Sequence, residues 1–218
     1  MDTPDDLIND LTRDLTPVKP IASLARRVSV LSVIGFMLTV GAVFALQRVR
    51  PDFSTVMADP DYVIEVLLLL FAAILSAAAA AVLAVPDTRL RASVILPLAA
   101  AHLIWIFLLL KSAYMALMLG TPHMAGENNC ATDLALLLIL PLGLGVFKLI
   151  KASPVWHGLA GYTLSLSMVT FAATAMRFLC PNDTAAHLLL WHFLPALGIA
   201  VFGFFMGWIV FAKKTKKA

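Results

Sequence analysis

Between residues 28 and 211 the chain alternates long apolar runs with short polar breaks. Six runs stand out: Val28–Gln47, Tyr62–Ala84, Ser93–Leu119, Asp133–Ile150, Trp156–Leu179 and Thr184–Phe211. A hydrocarbon core about 30 Å thick takes roughly 20 helical residues to cross, and each run is long enough to do so. None shows the strict apolar–polar alternation of a barrel strand, which leaves helices as the way to satisfy the backbone in lipid. The pattern therefore predicts an all-α, polytopic integral membrane protein with six transmembrane helices across residues 28–211. Composition agrees. The chain is 61% apolar and 13% charged with a mean hydropathy of +0.92, whereas soluble domains carry charge on about a quarter of their residues.

A formal charge of +3 is too small to suggest direct nucleic-acid binding, but its distribution is informative. Arg13, Lys19, Arg26 and Arg27 precede the first span, Arg89 and Arg91 follow the second, and Lys148 and Lys151 follow the fourth. Lys213, Lys214, Lys216 and Lys217 lie in the C-terminal tail, residues 212–218. Only Arg48, Arg50 and Arg177 fall on the other face, with Lys111 inside the third span. The positive-inside rule then expects both termini in the cytoplasm, with the KKTKK tail as a headgroup anchor. MDTPDDLIND is acidic where a cleavable signal would be basic, so the first span is expected to be retained.

Residues 1–27 are the one segment outside the bilayer long enough for its own element. Thr3 suits an N-cap, Pro4 the first helical position, and Asp5 and Asp6 the positive end of a helix dipole. Leu7, Leu11 and Leu15, with Ile8 beside them, make one apolar stripe, flanked by Asp10 and Asp14; Pro17 and Pro20 end it. So short a helix is marginal alone in water and needs a surface to cover the stripe. An interfacial helix would carry Lys and Arg on its polar face. Aspartates there fit better against a protein groove with a basic rim.

Candidate chemistry gathers on the face opposite the termini. Cys130 opens the fourth span and Cys180 closes the fifth, so both face an oxidising compartment at similar depth and are disulfide candidates. For the loop they close, chain entropy gives about 4 kcal/mol, an upper figure where inserted helices already restrain the chain. A structural bridge, a regulatory pair and two unpaired thiols at helix ends all remain open. The CxxC of thiol oxidoreductases is missing, which argues against an enzyme that makes disulfides.

His123, His187, Cys130 and Cys180, with Asp183 or Glu127, would make a mixed soft site for zinc or another thiophilic metal. None of these pairs has ligand spacing of its own, and a lone membrane histidine more often hydrogen-bonds a neighbour, so no firm metal site and no cofactor is expected. Trp191 and His192 are expected at the interface, leaving His187, His123 and Asp183 as the cysteines' neighbours. Two other functions compete. A haem- or quinone-linked redox protein would use His102 with His192. A small transporter would use Lys111 and Glu65, though it would want more charges at mid-depth. Gly143, Gly145, Gly203 and Gly207 suit close helix packing within one chain or between two, so oligomeric state stays open.

The acidic LINDLTRDLTPVKP lead followed by Arg26 and Arg27, six spans, a lone cysteine in the second outer loop and CPNDTAAHLLLWHFLP at the sixth span resemble the NrsF family over essentially the whole chain. These are negative regulators of extracytoplasmic-function sigma factors of the sigma-F type. The resemblance implies a non-enzymatic inner-membrane anti-sigma factor whose lead holds the sigma factor. It also implies that Cys130 and Cys180 sense a periplasmic oxidant or thiophilic metal and cause release.

Overall fold

The computed structural model describes residues 3–13, 22–46, 49–85, 92–118, 130–152 and 154–215. Among them there is no strand. A short helix α1 (Pro4–Thr12) precedes α2 (Leu24–Leu46), a single turn α3 (Phe53–Val56), α4 (Pro60–Leu83), α5 (Ala92–Met118), α6 (Cys130–Ala152) and α7 (His157–Leu179). The sixth span starts as α8 (Ala185–His187), widens into a π-turn (Leu188–Phe193) and continues as α9 (Leu194–Thr215). Six helical segments are long and apolar enough to cross a membrane, and their ends fall within a few residues of the sequence expectation.

The spans are not equivalent. Helix α7 packs against α2, α4, α6 and α9, while α2, α4, α5, the sixth span and α6 form a closed ring around it. Every residue from Thr163 to Arg177 is buried. Yet α7 is the least apolar of the six spans. Its hydroxyls are satisfied inside the protein: Thr163, Thr170 and Thr174 donate to carbonyls one turn back, and Ser167 donates to Ala73 O of α4 at 2.9 Å. From α5, Trp105 Nε1 donates to Thr170 Oγ1 at 3.1 Å. The ring helices carry their large apolar side chains outward, among them Phe71, Leu117 and Phe202, as lipid requires.

Small residues set the closest contacts. Ala77, Ala79, Ala80 and Ala81, from the alanine run of α4, are buried against neighbouring helices. Between α7 and α9 the backbones touch: a Cβ on Gly161 would lie 2.3 Å from Gly203 O, and one on Gly207 would lie 2.6 Å from His157 O. Gly145 packs against the Leu164 side chain, whereas Gly143 faces open space. Three of the four glycines flagged in the sequence are thus used within the chain.

Alternation of the six helices gives the bundle two ends. The basic end holds Arg27, whose guanidinium donates to Ala81 O, together with Lys148 and Lys151 around a cavity of about 490 Å³. The cysteine end holds the first residues of α6, the last residues of α7 and the segment 49–59. Because a Cβ at Gly161 must displace backbone, Gly161→Ala is expected to lower stability by about 1–3 kcal/mol. Gly198→Ala, with nothing within 4 Å of the new Cβ, should change it by less than about 0.5 kcal/mol. Denaturant unfolding in detergent micelles measures both.

Candidate functional site

Two helix ends and one irregular turn build the site at the cysteine end. Cys130 is the first residue of α6, and Cys180 caps α7 with its N–H on Met176 O. Both are buried thiols, with their sulfurs 3.5 Å apart. The Cys130 thiol donates to Cys180 Sγ, and this hydrogen bond draws the Cys180 thiol well below its ordinary value. The chain then turns through Pro181, with Asn182 Oδ1 accepting from the Thr184 N–H at 3.0 Å. His187 reaches back to bring Nε2 within 3.3 Å of Cys180 Sγ.

The π-turn decides what lies beneath. Leu194 N–H donates to Leu189 O, five residues back rather than four. Pro195 supplies a cause: its ring would meet the Trp191 carbonyl in a regular helix, and a widened turn before it relieves that clash. In such a turn residues five apart share a face. His192 therefore comes in beside His187, with ring centroids 5.2 Å apart and edge to face. It is wholly buried, and its ring lies against Cys180 as well as His187. One donor atom from each of Cys130, Cys180, His187 and His192 lies within 4.8 Å of the other three.

An ion-pair network clamps the turn that carries Cys180. Asp183 accepts from Arg177 at 2.6 Å and from Arg50, whose Nε also pairs with Asp52 at 2.7 Å. Arg177 pairs with Glu65 of α4 at 3.2 Å, and both are buried. Tyr62 donates to Arg177 O at 2.6 Å and sits under both guanidiniums. Arg50 also donates its backbone N–H to Phe178 O and its side chain to Pro181 O. Its guanidinium is held above its ordinary value by Asp52 first and Asp183 second, and Asp52 is held below its own by Arg50. Segment 49–59, α4 and α7 are thereby tied to the residues flanking Cys180.

Set against the sequence expectations, Cys130, Cys180 and His187 do converge. Asp183 belongs to the arginines rather than to the sulfurs. Glu65 pairs with Arg177, while Lys111 lines a cleft beside them. His123 and Glu127 lie outside the described residues. His192, expected at the interface, is the residue that sequence reasoning missed; Pro195 just beyond it was the available signal of a distorted turn. His102 is engaged elsewhere, by Leu98 O at 2.6 Å and by Tyr162 OH. Tyr162 lies 18 residues before Cys180 on α7, roughly 27 Å along the axis, so His102 and His192 do not face one another across a haem.

Near the N-terminus, α1 matches its capping expectation. Thr3 is the N-cap, its side chain accepts from Asp6 N–H, and Asp6 returns to the Thr3 backbone. Leu7, Ile8 and Leu11 are 59%, 55% and 69% exposed, an apolar stripe turned to open space. The Asp10 side chain, Asp14 and Leu15 lie outside the described residues.

The profile of one family matches residues 11–212, from the lead through all six spans, under the description negative regulator of sigma F. The chain belongs to the NrsF family. Its role is negative regulation of a sigma factor. No curated protein and no solved structure matches the chain. Within this NrsF protein the cysteine end and the first residues of α2 stand at opposite ends of the bundle.

Two outcomes follow from this geometry. Arg177→Leu leaves Glu65 buried without its cation and is expected to cost about 3 kcal/mol by denaturant unfolding in micelles, against little for Asp52→Asn at the exposed rim. In α1, the Thr3 hydrogen bonds hold the Asp6 carboxyl below its ordinary value. The cap's contribution is therefore complete above about pH 4 and is lost as pH falls through the depressed value. Circular dichroism of a peptide covering residues 1–21 should lose helicity on acidification, and Thr3→Ala should remove most of that pH dependence.

Proposed function

We propose that this NrsF protein is an inner-membrane anti-sigma factor. Residues 1–27 sequester an extracytoplasmic-function sigma factor in the cytoplasm, and a periplasmic Cys130–Cys180 pair triggers release under oxidant or thiophilic-metal stress. The observation that carries the reading is the convergence of two buried thiols, 3.5 Å apart, in a chain of a sigma-regulating family. Support for the lead comes from its exposed apolar stripe with acidic flanks, which suits a groove with a basic rim. Basic residues on the termini side support the orientation.

The signal would travel through packed helices. Cys130 begins α6 and Cys180 ends α7; both helices pack on α2, whose first residues continue the lead. Oxidation joins the two thiols into a disulfide, passing two electrons and two protons to the oxidant; metal capture replaces the two thiol protons and ties both sulfurs to one centre. Either change shifts α6 against α7 at one end and so alters the footing of α2 at the other. Moving a partner from 99% bound to 99% released takes about 5.5 kcal/mol. A disulfide closing this loop supplies up to about 4 kcal/mol, so the trigger works near that scale.

Two variants divide the reading into its halves. Leu11→Asp is expected to abolish co-purification of the sigma factor while leaving membrane insertion unchanged. A Cys130→Ser, Cys180→Ser double variant should capture the sigma factor normally but fail to release it under oxidant or cadmium challenge. Normal capture by the first would remove the lead from the mechanism, and normal release by the second would remove the cysteines.

A further inference from the structure

The sulfur pair does not account for the histidines around it. A plain dithiol switch needs two cysteines and an oxidant. This site adds two buried imidazoles whose ring nitrogens lie in one small cluster with the two sulfurs. We propose that Cys130, Cys180, His187 and His192 form a closed four-ligand site for a thiophilic divalent d10 cation of the zinc–cadmium class. The proposal rests on the cysteines being the sensing pair and names what they take up.

Distances come first. Metal–nitrogen bonds of about 2.0–2.1 Å and metal–sulfur bonds of about 2.3 Å give a tetrahedron with edges of roughly 3.3–3.8 Å. The Cys130–Cys180 and Cys180–His187 separations, 3.5 and 3.3 Å, are already of that size. The longest separation in the set is within 4.8 Å, so closing the tetrahedron takes movements of about an ångström.

The donor set then selects the ion. Two sulfurs and two imidazoles offer no oxygen, which excludes calcium and magnesium and suits zinc or cadmium. Binding replaces the two thiol protons, which leave to solvent, so a divalent ion with two thiolates is neutral. That matters in a site whose four residues are all buried. A monovalent soft cation would leave one uncompensated negative charge there. With four protein ligands no coordination position stays open, which fits a sensor and not a catalytic metal.

The surroundings support the same reading. The π-turn puts His187 and His192 on one face, where a regular helix would splay them apart. Arg50 and Arg177 grip Asp183, three residues past Cys180, and hold the turn in place from outside the ligand set. Filling the site would draw α6, α7 and the sixth span together at one point, through Cys130, Cys180 and the two histidines.

The test uses the full chain in detergent micelles, reduced and metal-free, titrated with Co²⁺ as a spectroscopic stand-in and then with Cd²⁺. One ion per chain is expected, with the visible bands of tetrahedral cobalt and a thiolate-to-metal charge-transfer band. His187→Ala and His192→Ala should each weaken binding at least ~100-fold, beyond the 10–100-fold typical of losing an outer-shell partner. His192 is fully buried, so its alanine variant could act by unfolding. His192→Cys guards against this: it should restore one-to-one binding, with charge-transfer intensity raised from two thiolates to three. Absence of a thiolate charge-transfer band in the unaltered protein, or unchanged affinity in both histidine variants, would overturn the proposal. Sigma-factor release is scored separately. Release by oxidant without metal binding would refute the metal site and leave the regulatory reading standing. One-to-one metal binding with no release would confirm the site and refute the cysteines as trigger.

Discussion

A helix that carries Thr163, Ser165, Ser167, Thr170 and Thr174 along its length, with Arg177 near its end, can cross a hydrocarbon core only if protein replaces lipid around it. Helix α7 meets that condition by standing inside a ring of five spans. The rest of the bundle follows from it. Glycines at 161, 203 and 207 let α9 approach backbone to backbone. Ser167 and Thr170 tie the post to α4 and α5. The outer helices are left free to be almost purely apolar. A buried post also moves with its neighbours, since close-packed interiors transmit displacement instead of absorbing it.

The polar end of that post is where chemistry collects. Arg177 needs carboxylates because it is buried, and Glu65 and Asp183 supply them. Asp183 in turn lies in the four-residue turn that begins at Cys180, so the network that neutralises an arginine also positions a thiol. Pro195 has a comparable double effect. A residue that disrupts an α-helix produces a π-turn, and that turn delivers His192 to the sulfurs. Structural necessity and candidate function use the same residues here.

Family membership and geometry divide the functional argument between them. The family supplies the biological role, negative regulation of a sigma factor. The geometry supplies a compact buried cluster at one end of the bundle, an exposed apolar stripe on α1, and an α2 packed on both cysteine-bearing helices. Helices α6 and α7 carry the two cysteines at one end of the bundle and pack along α2.

Much of this was legible along the chain. Six apolar runs specify six spans because length against bilayer thickness is a one-dimensional criterion. The Thr3–Pro4 cap and the Leu7, Ile8 and Leu11 stripe could be read because caps and faces depend on residues within a few positions of each other. The two cysteines were also visible as a pair at one depth. Neighbours across helices were not. Uniformly apolar runs carry little periodicity to say which face meets which helix, so the central place of α7 and the Glu65–Arg177 pair emerged only from packing. His192 is the sharpest case. Regular helical spacing turns it away from His187, and only the widened turn before Pro195, held in a tertiary setting with Cys130 and Cys180, brings the four side chains together. The sequence alone determined how many helices cross and how the lead is capped; the tertiary structure decided which polar residues meet, because that depends on contacts between helices far apart in the chain.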